Sequence, residues 1–170
     1  MNSTHLGLAK WVKVKRRASL TIVAVSAVAF QASFGQATKP SVLLPESAAK
    51  EVSALCSREG LDNVDGSWRP KNADIVAMEN NLWRISKLRS EDGMVGARVR
   101  HPERDFRQYV AVVVSGRKLI YINAFCSVDG DPPTYWQSRM VKNCDGGCDW
   151  GAIYDPATGR FSHLGTNGIG

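Results

Sequence analysis

The run Tyr109-Val-Ala-Val-Val-Val-Ser-Gly-Arg-Lys-Leu-Ile-Tyr-Ile-Asn-Ala-Phe125 decides the fold class. Two stretches rich in β-branched and aromatic residues flank Ser115-Gly116, where glycine supplies the positive φ that a tight hairpin turn requires. The first stretch is apolar at successive positions, which reads as a central strand covered by helices. Downstream, Trp150 to Tyr154 and Arg160 to Leu164 read as a second hairpin around Asp155-Pro-Ala-Thr-Gly159. Its Asp opens a turn, its Pro fixes the next φ and its Gly closes in the left-handed region. Between the hairpins, Ser127 to Asn143 forms a long connection.

Upstream the period changes. Ala48, Val52, Leu55 and Cys56 recur at helical spacing within Glu46 to Glu59, with Gly60 available as a stop, so Cys56 is expected to face inward. Asp65 to Pro70 reads as a loop with Trp68 folded against the core. Ile75, Met78, Leu82, Ile85 and Leu88 place one stripe on a helix from Asn72 to Arg89. Asp74 near its start and Lys87 and Arg89 near its end suit the helix dipole. Ser90 to Arg107 is expected to be a polar loop, with room for a short strand at Val95 to Val99. The expected class is α+β: two N-terminal helices packed on one face of an antiparallel sheet of about four strands.

Residues 1–37 read as a signal peptide. Lys10, Lys13, Lys15, Arg16 and Arg17 precede an uncharged stretch whose densest apolar part, Leu20 to Phe30, is roughly 11 residues, too short for a membrane span. Small residues at Gly35 and Ala37 place the cut after Ala37. Ser19 departs from a twin-arginine signal, which favours the general secretory route. No apolar run precedes Cys56, so no lipid anchor is expected there, and no stable membrane anchor remains after cleavage. Of the 22 Lys and Arg, five lie in the leader, which leaves 17 against 16 acids in the single domain 38–170. That near-neutral balance removes the charge on which nucleic-acid binding rests. A single cross-linked domain, periplasmic or secreted, is the expectation.

Cys56, Cys126, Cys144 and Cys148 all follow the leader, and four cysteines in an exported domain read as two disulfides. Three pairings are open, including a local Cys144 to Cys148 loop. No second cysteine pair or histidine stands at zinc-ligand spacing. His101, before Pro102, and His163, on the last strand, read as solvated or packed histidines. Neither a nucleophile elbow nor a phosphate-cradling glycine loop is present, and no cofactor or resident metal is expected.

Two surfaces stand out by charge. Arg84, Lys87, Arg89, Arg98, Arg100, Arg104 and Arg107 outnumber Glu91, Asp92, Glu103 and Asp105 in one stretch. Asp129, Asp131, Asp145, Asp149 and Asp155 outnumber Arg139 and Lys142 in another. The second carries Tyr135 and Trp136, so Asp129, Asp131, Tyr135, Trp136 and Asp145 form the expected partner-binding loop, aromatic loop residues being favoured contact anchors. The expected function is that of an exported non-enzymatic binding protein, an inhibitor or envelope partner, engaging a protein or envelope component. The alternatives are a small hydrolase using two of Asp129, Asp131, Asp145 and Asp149, or a metal or ligand carrier, since clustered loop carboxylates take calcium.

From about Trp68 to the C-terminus the chain resembles a family of small exported proteobacterial proteins to which no activity is attributed. The resemblance rests on Arg107-Gln108-Tyr109, Ile120-Tyr-Ile-Asn-Ala-Phe-Cys126, Cys144-Asp-Gly-Gly147, Trp150-Gly151-x-x-Tyr154-Asp155 and Asn167-Gly168. It implies a Cys126 to Cys144 bond, because those two cysteines sit in the recurring pattern, and leaves Cys56 with Cys148 as the second pair.

Overall fold

A computed structural model describes residues 40–128, 134–144 and 146–168. The expected leader lies outside them. The core is an antiparallel meander: β4 (Phe106–Val114), β5 (Arg117–Phe125), β6 (Trp150–Asp155) and β7 (Arg160–Thr166) pair in that order. Ser115 and Gly116 both adopt left-handed φ at the first hairpin, as its sequence requires. The second closes through Gly159 N–H donating to Asp155 O at 2.8 Å, with Gly159 at φ +66°.

Three further strands make the sheet seven-stranded and mixed, which corrects the four-strand antiparallel expectation. β1 (Ser41–Leu43) runs parallel to the first half of β4, and β2 (Val64–Ser67) antiparallel to its second half, so both line one edge. β3 (Asp92–Gly93) runs parallel to β7 at the other edge, in place of the strand expected at Val95 to Val99. Each spans four residues or fewer, too little for an alternation pattern to register.

The helices are also corrected. Of the expected helix at Glu46 to Glu59, only a 3₁₀ turn at Glu46–Glu51 forms, and Cys56 is exposed rather than inward-facing. The second breaks at Asn81 into α1 (Asn72–Asn80) and a 3₁₀ segment, Leu82–Lys87. Asn81 Nδ2 donates to Ala77 O at 2.8 Å, the side chain competing with the helical backbone. Its apolar stripe still packs: Met78, Leu82 and Ile85 cover Tyr109, Ile120, Ile122, Trp150, Ala152 and Leu164 on one face. The other face is covered as well. There Ala48, Ala49 and Val52 meet Val110, Val112, Leu119, Tyr121 and Ile153. Helical segments therefore flank the sheet on both sides, which explains why β4 and β5 are apolar at successive positions.

A buried cation fastens α1 to β4. Arg107 is 3% exposed; it donates to Tyr109 Oη at 3.1 Å and to the carbonyls of Glu103 and Asp105 at 3.2 and 2.6 Å, and pairs with Glu79 at 3.6 Å. Tyr109 donates its hydroxyl to Glu79. Burial first, and then the Glu79 charge, hold the Tyr109 phenol far above its ordinary value. Burial and the Asp74 charge raise Tyr154 as well. A phenol with a raised folded-state pKa keeps its proton after the unfolded chain has lost it, so stability falls as pH rises past about 10. Urea unfolding between pH 9 and 11 should show a decline in stability that approaches about 1.4 kcal/mol per pH unit from Tyr109 above pH ~10. Tyr109→Phe should flatten it, and an identical slope would refute this assignment.

Candidate functional site

Gln108 and Asn123 are partners in the β4–β5 ladder, and their side chains meet in one hydrogen-bonded network. Gln108 accepts from Asn123 Nδ2 at 2.8 Å and from Val141 N–H at 2.9 Å, and donates to the carbonyls of Trp136 and Arg139. Asn167 Nδ2 donates to Asn143 O at 2.7 Å. The remaining amide oxygens of Asn123 and Asn167 both accept from one guanidinium, Arg58, whose Nε donates to Tyr121 Oη at 3.1 Å. Arg58 reaches them across a bare patch. Gly151 and Gly165 are partners in the β6–β7 ladder, and a Cβ on Gly165 would lie 3.5 Å from Arg58 Cδ. Strand glycines mark close approach of another group. They are the one signal that could have pointed to Arg58, which sequence reasoning missed.

Beside this cradle lies a cavity of about 110 Å³ lined by Arg58, Tyr121, Glu91, Asp92 and His163 among others. His163 sits at φ +50° where the β6–β7 register slips, a bulge that turns its ring outward. Three of the guanidinium's N–H groups are committed to Tyr121, Asn123 and Asn167, so Arg58 acts first as a lock between the segment after the first 3₁₀ turn and the sheet.

Both disulfides differ from the implied pairing. Cys126 bonds Cys148, and Cys56 bonds Cys144. Register explains the first. Ala124 pairs with Trp150 in the β5–β6 ladder, and Cys126 and Cys148 occupy the next like-facing rung beyond it. Cys144 lies four residues before that rung, in the loop that leads into β6, and meets Cys56 from the segment that carries Arg58.

Of the expected partner-binding loop, Asp129, Asp131 and Asp145 lie outside the described residues. Tyr135 is half-buried, and Trp136 is 5% exposed, packed edge-on against Phe106 and Phe125 at 5.4 and 6.1 Å. Its ring belongs to a small core cluster rather than to a contact surface. Asp149, a carboxylate of the hydrolase and calcium readings, is buried; it accepts from Cys126 N–H at 3.2 Å and Asn143 Nδ2 at 2.6 Å. It braces the start of β6. Cys126, Cys148 and Asp149 cluster within 4.8 Å, but bonded disulfide sulfurs are not the thiolates a metal needs, so the set does not fit a resident ion.

The basic stretch is partly dispersed and partly gathered. Arg107 is buried, Arg84 donates to Gly159 O at 3.3 Å, and Arg89 to Gly96 O at 3.3 Å. Arg98, Arg100, His101 and Arg104 instead converge on one groove of about 320 Å³, floored by Met94, Val99 and Trp150 and flanked by Cys148. Among the described residues no carboxylate pairs with the three arginines. Arg58 has its acceptors built in, whereas these guanidiniums have no carboxylate partner among the described residues, which makes the groove the better candidate for an external ligand.

No family model, curated protein or solved structure matches this chain.

Proposed function

We propose that this is an exported binding protein of the periplasm or cell envelope that holds an anionic partner in the arginine groove. The observation that carries the reading is the convergence of Arg98, Arg100 and Arg104, exposed and without carboxylate partners among the described residues, on one preformed groove. Two disulfides fit an oxidising compartment, and no helix of the described residues is long and apolar enough to cross a membrane. The buried Val99 and Pro102 fix the backbone that carries the three arginines, which lowers the ordering cost of binding.

The test compares the wild-type protein with an Arg98→Glu/Arg100→Glu/Arg104→Glu variant in saturation binding to an envelope fraction. Saturable binding is expected for the wild type and a loss of at least about tenfold in affinity for the variant, as charge-assisted contacts of this kind imply. Arg160→Glu, at the exposed tip of the β6–β7 hairpin, should bind like the wild type. Equal binding by all three proteins, or no saturable component, would overturn the reading.

A further inference from the structure

We propose that the groove is a phosphate site and that its ligand bears a diphosphate or two neighbouring phosphates. The proposal rests on the binding reading above and names the chemistry of its ligand.

The backbone sets the charges in place. Arg98, Val99 and Arg100 are exposed, buried and exposed in turn, so Val99 anchors the segment in the core while its two neighbours stay at the surface and line the groove. Pro102 is buried and starts the 3₁₀ turn Pro102–Arg104, which brings Arg104 to the same groove. His101 lies between them, 3.4 Å from Glu103. The carboxylates lining the groove, Asp105 and Asp149, are occupied by internal donors. Asp105 accepts from Trp150 Nε1 at 2.8 Å, and Asp149 holds Cys126 N–H and Asn143.

Three guanidiniums around one concavity ask for an anion with many oxygens. A carboxylate offers two, which a single arginine satisfies, whereas phosphate offers three terminal oxygens in a geometry that matches the guanidinium fork. The groove, about 320 Å³, is large enough for two linked phosphates and part of the group that bears them. Its apolar floor of Val99 and Met94 lowers the local dielectric and strengthens each contact.

The test is calorimetric titration of the purified protein with inorganic pyrophosphate, with citrate as a polycarboxylate arm and phosphatidylglycerol vesicles as a headgroup arm. Pyrophosphate is expected to bind with a Kd below about 1 mM, and citrate about tenfold more weakly. Arg98→Gln/Arg100→Gln/Arg104→Gln should weaken pyrophosphate by about tenfold or more with an unchanged circular dichroism spectrum, since all three side chains are exposed. Arg160→Gln should bind like the wild type. Citrate equal to pyrophosphate, binding to vesicles alone, or a variant as good as the wild type would each overturn the assignment. If pyrophosphate fails while the triple glutamate variant still loses its envelope partner, the phosphate chemistry is wrong and the binding reading stands. If both fail, both are wrong.

Discussion

Gly151→Ala is expected to destabilise the protein by about 3–5 kcal/mol, read from urea unfolding followed by tryptophan fluorescence. A Cβ built at Gly151 would stand 2.2 Å from Tyr121 Oη and 2.8 Å from Arg58 Nε. Neither neighbour can yield cheaply. Tyr121 is buried against Val110, Val112 and Ile153, and Arg58 is held by three acceptors and by the disulfide two residues before it. The methyl group must therefore displace the guanidinium, which leaves the oxygens of Asn123 and Asn167 without the donor they now have. Overpacking contributes about 1–3 kcal/mol and each stranded buried acceptor a comparable amount. Gly66→Ala is the control, because nothing lies within 4 Å of its added Cβ and its φ is ordinary. The double variant Arg58→Ala/Gly151→Ala should cost less than the sum of the two single changes, since removing Arg58 vacates part of the space the methyl needs. A Gly151→Ala protein within about 1 kcal/mol of wild type would show that the cradle does not hold.

The second large effect belongs to Cys56 and Cys144. Their bond spans 88 residues against 22 for Cys126–Cys148. Loop-entropy reasoning assigns about 4–5 kcal/mol to the longer closure and about 3 kcal/mol to the shorter one, so Cys56→Ser/Cys144→Ser should be the more damaging double replacement. The longer bond also fixes the segment that delivers Arg58, so its loss should make Gly151→Ala less costly in the same background. Peptide mapping under non-reducing conditions should recover Cys56 with Cys144 and Cys126 with Cys148. A Cys144–Cys148 peptide would refute this account of the site.

What the sequence disclosed is local. The hairpins at Ser115-Gly116 and Asp155 to Gly159 were legible because a turn's backbone angles demand particular residues within a few positions. The stripe Ile75, Met78, Leu82, Ile85, Leu88 named the right core contacts, yet it could not report that Asn81 breaks the helix, because three- and four-residue steps serve an α-helix and an α-helix followed by 3₁₀ turns alike. The edge strands β1, β2 and β3 have no period of their own; partners distant in sequence define them. The disulfide pairing depended on the register of β6 against β5, which a long connection leaves unspecified until the sheet forms. In the groove, the sequence marked Arg98, Arg100 and Arg104 only as members of a basic stretch, and nothing local gathered them on one concavity or set them apart from the buried Arg107.

The two disulfides alternate along the chain, first cysteine with third and second with fourth. A chain that emerges N-terminus first presents Cys56 and Cys126 as its earliest two thiols, and those are not partners. The shortest available closure, Cys144 to Cys148, is not a native bond either. Oxidation ahead of strand pairing is therefore expected to form non-native isomers, since the register of β5 against β6 is what brings Cys126 and Cys148 together. Exchange repairs such a trap without net redox change: the Cys148 thiolate attacks Cys126 Sγ in a Cys126–Cys144 bond, forming the native bond and releasing Cys144 as a thiolate. A second oxidation by a disulfide-bearing oxidant, which takes up the two electrons, then joins Cys144 to Cys56. Refolding of the reduced protein in a glutathione redox buffer, which supplies thiol as well as disulfide, is therefore expected to recover more native pairing than oxidation by air alone.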